Sequence, residues 1–131
     1  MKMEFLDATG NGEYPNASPK SLVRLSEFGD EELSDLIESI EKFLSSTDDL
    51  LELHKLSFIH PINCSVTFKR SKQDEGLVTE DKENEFLCCL SPSGYKQMLE
   101  IMKHTKDGHN WLTPGEYCDE PSFLLSRYGT W

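Results

Sequence analysis

Leu33, Leu36, Ile37, Ile40 and Leu44 recur at steps of three and four residues. That spacing lays one apolar stripe along a helix and predicts a helix over residues 30–44. Glu31, Asp35, Glu38, Glu41 and Lys42 fall on the other side. Asp30, Glu31 and Glu32 occupy the first turn, where the helix dipole favours anions. One face must therefore be buried against other elements, and the opposite face must carry charge into solvent.

A different period follows. Ile62, Cys64, Val66 and Phe68 alternate with Asn63, Ser65, Thr67 and Lys69, which predicts a strand with one buried face. Residues 85–90 are more continuously apolar and read as a more central strand. A second helical stripe, Tyr95, Met98, Leu99 and Met102, opens on Ser91-Pro92, a capping residue before a proline suited to the first helical position. Lys103, His104 and Lys106 gather at its C-terminal end, and Gly108 can stop it.

Residues 3–6 predict a short first strand. Residues 8–20, broken by Gly10, Gly12, Pro15 and Pro19, read as a surface loop. Ser46 and Asp49 make a capping-box pattern, so residues 48–55 are expected to form a second, short helix containing Leu50, Leu51 and Leu53. The charged segment 71–84 is expected to be a hairpin tip or a short edge strand. Residues 109–122 look like a loop, and 123–131 like a last strand on which Tyr128 and Trp131 pack. The expected fold is α+β: one domain over residues 1–131, with a mostly antiparallel sheet flanked by two or three helices. A charge placed at Ile37 is expected to unfold it.

Charge narrows the function. The chain holds 24 Asp and Glu against 13 Lys and Arg, a net charge of −11. From Glu27 to Glu52 there are ten carboxylates and one cation, Lys42. Such a surface repels nucleic acid and anionic membrane and attracts basic proteins. No direct nucleic-acid or membrane contact is expected. The start of the chain carries no apolar signal segment, and no stretch approaches a membrane span, so a cytoplasmic location is expected.

No motif speaks for chemistry, and no cofactor, metal or catalytic residue is expected. Neither a Walker-type nor a dinucleotide-binding glycine pattern is present. His54, His60, Cys64, Cys88, Cys89, His104, His109 and Cys118 lack the spacing of a structural zinc site. Cys88 and Cys89 are adjacent on a predicted strand, so they point to opposite faces and read as packing groups. The candidate partner-binding residues are therefore the carboxylates Glu31, Asp35, Glu38, Asp48 and Asp49, with Tyr14, Trp111 and Tyr117 as aromatic anchors.

With its acidic helix Asp30-Glu31-Glu32-Leu33-Ser34-Asp35-Leu36-Ile37-Glu38 and the run Phe86-Leu87-Cys88-Cys89-Leu90-Ser91-Pro92-Ser93-Gly94-Tyr95, the chain resembles the immunity proteins of bacterial polymorphic-toxin and contact-dependent growth-inhibition systems. The resemblance is one of general style over the whole chain, and no functional residue is carried over from it. It implies binding to a toxin domain made by the same cell line, such as a basic nuclease, by covering its active or substrate-binding site. Two other binding classes share the acidic character: type III secretion chaperones, which typically open with a helix, and phage-type inhibitors that mimic nucleic acid. A small enzyme is a further class, for which no constellation of residues speaks.

Overall fold

The apolar stripe forms the helix that its spacing predicts. In the computed structural model, which describes residues 1–7, 21–105, 108–113 and 121–129, helix α1 spans Asp30–Ser45. It follows strands β1 (Lys2–Asp7) and β2 (Ser21–Ser26). After it come β3 (Leu50–Glu52), a single 3-10 turn (Leu53–Lys55), β4 (His60–Pro61), β5 (Ser65–Arg70), β6 (Gly76–Thr79) and β7 (Glu85–Leu90). Helix α2 (Pro92–His104), β8 (His109–Thr113) and β9 (Ser122–Ser126) complete the order.

The fold is α+β, as expected, but the strands make two mixed sheets rather than one mostly antiparallel sheet. The first has the order β4-β1-β2-β9-β8 and the second β3-β5-β7-β6. Three pairings are parallel: β1 with β4, β2 with β9 and β5 with β7. The sheets meet through aromatic contacts. Phe68 of β5 lies edge-on to Phe123 of β9 at 6.2 Å, and Phe5 of β1 lies 5.2 Å from Phe86 of β7.

Both helices pack into the same core. Leu33, Leu36, Ile40 and Phe43 of α1 are buried with Tyr95, Met98, Leu99 and Met102 of α2. Val66, Phe68, Phe86, Cys88 and Leu90 of the second sheet join them, with Met3, Val23, Leu25, Phe123 and Leu125 of the first. Ser91 caps α2 as its sequence predicts: its hydroxyl accepts the Gly94 N–H at 3.1 Å. The carboxylate of Asp74 in turn accepts the Ser91 N–H at 2.7 Å, which ties the start of α2 to the segment before β6.

Arg70, at the end of β5, closes the other end of α1. Its guanidinium donates to the carbonyls of Phe43 and of Ser46, the latter at 2.8 Å, and lies 4.7 Å from the centre of the Phe43 ring. The last carbonyls of a helix lack i+4 N–H partners, so a planar cation there adds to the cap bonds that Ser46 gives the Phe43 carbonyl and stacks at the same time.

Four expectations are corrected. The expected helix over 48–55 is β3 followed by the 3-10 turn. Ser46 is instead the C-cap of α1, its hydroxyl donating to the Phe43 carbonyl at 2.9 Å. Leu50, Leu51 and Glu52 pair with Lys69, Phe68 and Thr67, so strand pairing overrides local helical preference. The strand expected over 62–68 starts only at Ser65, and Ile62 is 56% exposed. Asn63 explains the shift: its side chain accepts the Phe5 N–H at 2.7 Å and donates to the Phe5 carbonyl at 2.9 Å, holding that stretch against β1 before the chain crosses to the second sheet. Residues 109–113 form β8 rather than a loop. The last strand ends at Ser126, and Tyr128 is 66% exposed rather than packed on the sheet. Trp131 lies outside the described residues.

Ile37 is only partly buried, whereas Leu36 and Ile40 are fully buried. Leu36→Ala is therefore expected to cost about 2–5 kcal/mol in urea unfolding. Ile37→Asp is expected to cost less than Leu36→Ala; the reverse order would show that α1 is rotated relative to this core.

Candidate functional site

Alternation around α1 puts Glu31, Asp35 and Glu38 on one exposed line, at steps of four and three residues. At about 1.5 Å rise per residue that line is roughly 10 Å long. Neighbouring carboxylates are already matched. Glu38 pairs with Lys42 at 3.1 Å, Asp30 with Arg127 at 2.8 Å and Glu41 with Lys103 at 3.6 Å. Glu31 and Asp35 have no cation within ion-pair distance among the described residues. Asp48 and Asp49 are exposed as well, but lie beyond the C-terminal end of α1, ahead of β3 and not on a helix. The five carboxylates thus run from the first turn of α1 to the segment before β3 and do not converge on a point.

Glu32 points elsewhere. Its carboxylate accepts from the Met1 amine and from the Gly29 N–H, the latter at 3.4 Å. The hydrogen bond from the amine is the chief reason its carboxyl is held below the ordinary value of 4.5. Glu52 is lowered in the same direction, first by its bond from Lys55 at 2.9 Å.

Of the aromatic candidates, Tyr14 and Tyr117 lie outside the described residues. Trp111 sits on β8 instead of in a loop and is half-buried. It lines a cavity of about 230 Å³ together with Asp74, Glu75, Gln97, Ile101 and Thr113.

A second surface was not visible in the sequence. Side chains of the second sheet alternate between the core and the opposite face. On that opposite face Glu52, Thr67, Leu87 and Val78 stand in one row across the four strands, and Leu50, Lys69, Cys89 and Gly76 in the next. Leu50 is 50% exposed and Val78 38%. A shallow depression of about 600 Å³ lies between Leu50, Thr67, Lys69 and Leu87, bordered by Asp49, Glu52 and Glu80. The signal that could have located this face is the register, which no local pattern specifies for a three-residue strand such as β3.

The cysteines are packing groups in their surroundings. Burial pushes the Cys64 thiol up to about 12 and raises Cys88 and Cys89 as well, with Glu75 adding to the effect at Cys89. None of these three is in a disulfide, and Cys118 lies outside the described residues. Among the described residues no three His, Cys, Asp or Glu side chains gather closely enough to hold a metal ion, and no helix is long and apolar enough to cross a membrane. Compared with protein-family models, with curated proteins and with solved structures, the chain matches none.

Glu31 and Asp35 make no ion pair among the described residues, and Glu31 acts on the fold only through the dipole at the first turn of α1. Glu31→Lys with Asp35→Lys is expected to change the unfolding free energy by no more than about 1–2 kcal/mol in urea unfolding. Glu32 behaves otherwise. Its folded-state value is depressed, so its contribution is present above pH 4.5 and is lost as pH falls through the depressed value. Glu32→Gln is expected to flatten the acid side of the stability–pH profile; a profile identical to the parent would show that the amine contact is not made in solution.

Proposed function

We propose that this chain is an immunity protein that binds a basic toxin domain, such as a nuclease, and occludes its active or substrate-binding site. The observation that carries the reading is the uneven charge, ten carboxylates against one cation from Glu27 to Glu52, with Glu31, Asp35, Glu38, Asp48 and Asp49 exposed. Glu31 and Asp35 at one end, and Asp48 and Asp49 at the other, contribute little to the fold and remain available to a cationic surface. A toxin that acts on nucleic acid presents cations to phosphate, and exposed carboxylates on a folded scaffold attract the same cations. Opposite potentials also speed encounter and select the partner.

The test uses the purified C-terminal domain encoded by the gene immediately upstream. One equivalent of this chain is expected to abolish that domain's activity. The association rate is expected to fall about tenfold or more between low and physiological salt, as the screening length shrinks from about 30 to about 8 Å. Absence of binding, or association indifferent to salt, would contradict the reading.

A further inference from the structure

The open face of the second sheet carries more than charge. Among the described residues the exposed large apolar side chains are Leu50, Ile62, Val78 and Tyr128, and two of these four stand on this one face. Leu87 lies between them: it is the register partner of Val78, and it borders the same depression as Leu50. Leu50 and Val78 stand on the two edge strands, three inter-strand spacings or about 14 Å apart, and β5 presents Thr67 and Lys69 between Leu50 and Leu87. Single exposed leucines are ordinary, but Leu50 and Leu87 wall one depression with Val78 beside Leu87, and such a grouping on one sheet face is the composition of an interface centre. Its rim is acidic at Asp49, Glu52 and Glu80, with Lys69 as the one cation lining the depression besides Arg70. Arg70 is already bound to the end of α1. A polar, charged rim around an apolar centre is how heterologous interfaces are organised.

We infer that this face, rather than α1, is the primary docking surface, and that it takes a basic protein partner presenting an apolar ridge flanked by lysines or arginines. This rests on the immunity reading above and names the contact surface for it. A second copy of the chain is a poorer occupant, because two copies would bring acidic rims together, each on a molecule of net charge −11. The span from Leu50 to Val78 suits one helix of the partner, about 10–12 Å across with its side chains. The carboxylates of α1 then act at a distance, raising the encounter rate without entering the buried contact. The two surfaces should separate kinetically: apolar anchors govern dissociation and outlying charges govern association.

The test compares three proteins against the same upstream-encoded toxin domain by surface-binding kinetics, each first shown to melt like the parent. Leu50→Arg with Val78→Arg is expected to weaken binding on the order of 100-fold, the effect of losing a central anchor. Leu50→Ala with Val78→Ala, the milder pair, is expected to accelerate dissociation and leave association unchanged. Glu31→Lys with Asp35→Lys is expected to slow association at low salt and leave dissociation unchanged. Sheet variants that bind like the parent while the helix variant fails would overturn the inference and leave the immunity reading standing. No binding by the parent chain would overturn both. A parent dimer in sedimentation, abolished by the arginine pair, would assign the face to a second copy and overturn the inference.

Discussion

Tyr95 is the contact on which the arrangement of this protein depends. It lies in the first turns of α2, fully buried, and its hydroxyl sits 2.7 Å from the Lys69 carbonyl and 2.6 Å from the Cys88 carbonyl. Its one proton can serve only one of those acceptors at a time, so the hydroxyl bridges the parallel pair β5 and β7 rather than either strand alone. Its ring stacks on Phe68 at 5.2 Å and meets Phe43 of α1 edge-on at 5.8 Å. One side chain therefore joins α2, α1 and the two central strands of the second sheet. Arg70 adds a second tie from β5 to the end of α1. Both helices are thereby drawn to one side of that sheet, and on its other side Leu50 and Val78 are exposed.

Much of this was legible where a residue's role is local. The helical stripes predicted α1 to within a residue and the start of α2, because a 3.6-residue period over three or more turns has few competing readings; α2 ends at His104, short of the expected stop at Gly108. Ser91-Pro92 predicted the start of α2 because its capping bond closes within four residues. The residues 85–90 became β7 with the predicted bounds. What failed was non-local. The leucines at 50, 51 and 53 have no period long enough to choose between helix and strand, and β5 chose for them. Asn63 imitates a strand residue toward β1, an event that depends on a contact 58 residues away. Strand β2 has Leu22, Val23 and Leu25 all buried, so it shows no alternation to recognise. The site followed the same division. The exposed carboxylates of α1 came directly from the helical period, whereas the grouping of Leu50, Leu87 and Val78 on one face of the second sheet exists only through the register of β3, β5, β7 and β6.

These two surfaces differ in what they can do for binding. Exposed carboxylates in high dielectric are worth little in affinity once salt is present, and several here already hold a local cation. Their effect is on the rate and selectivity of encounter. Leu50, Leu87 and Val78 offer apolar area whose removal from water is favourable, on a sheet rigid enough that little ordering is lost on contact. In the proposed immunity role, fast encounter would draw on the carboxylates and slow release on the apolar side chains.

Amide hydrogen exchange of the chain alone and saturated with the upstream-encoded toxin domain tests this account most directly. Central strands β5 and β7 are shielded in the free protein, so the informative amides are those of the edges. Slowed exchange over residues 48–52 and 76–83, with α1 changing little, is the predicted result. Protection confined to residues 30–45, with both edges of the second sheet exchanging as in the free chain, would contradict it.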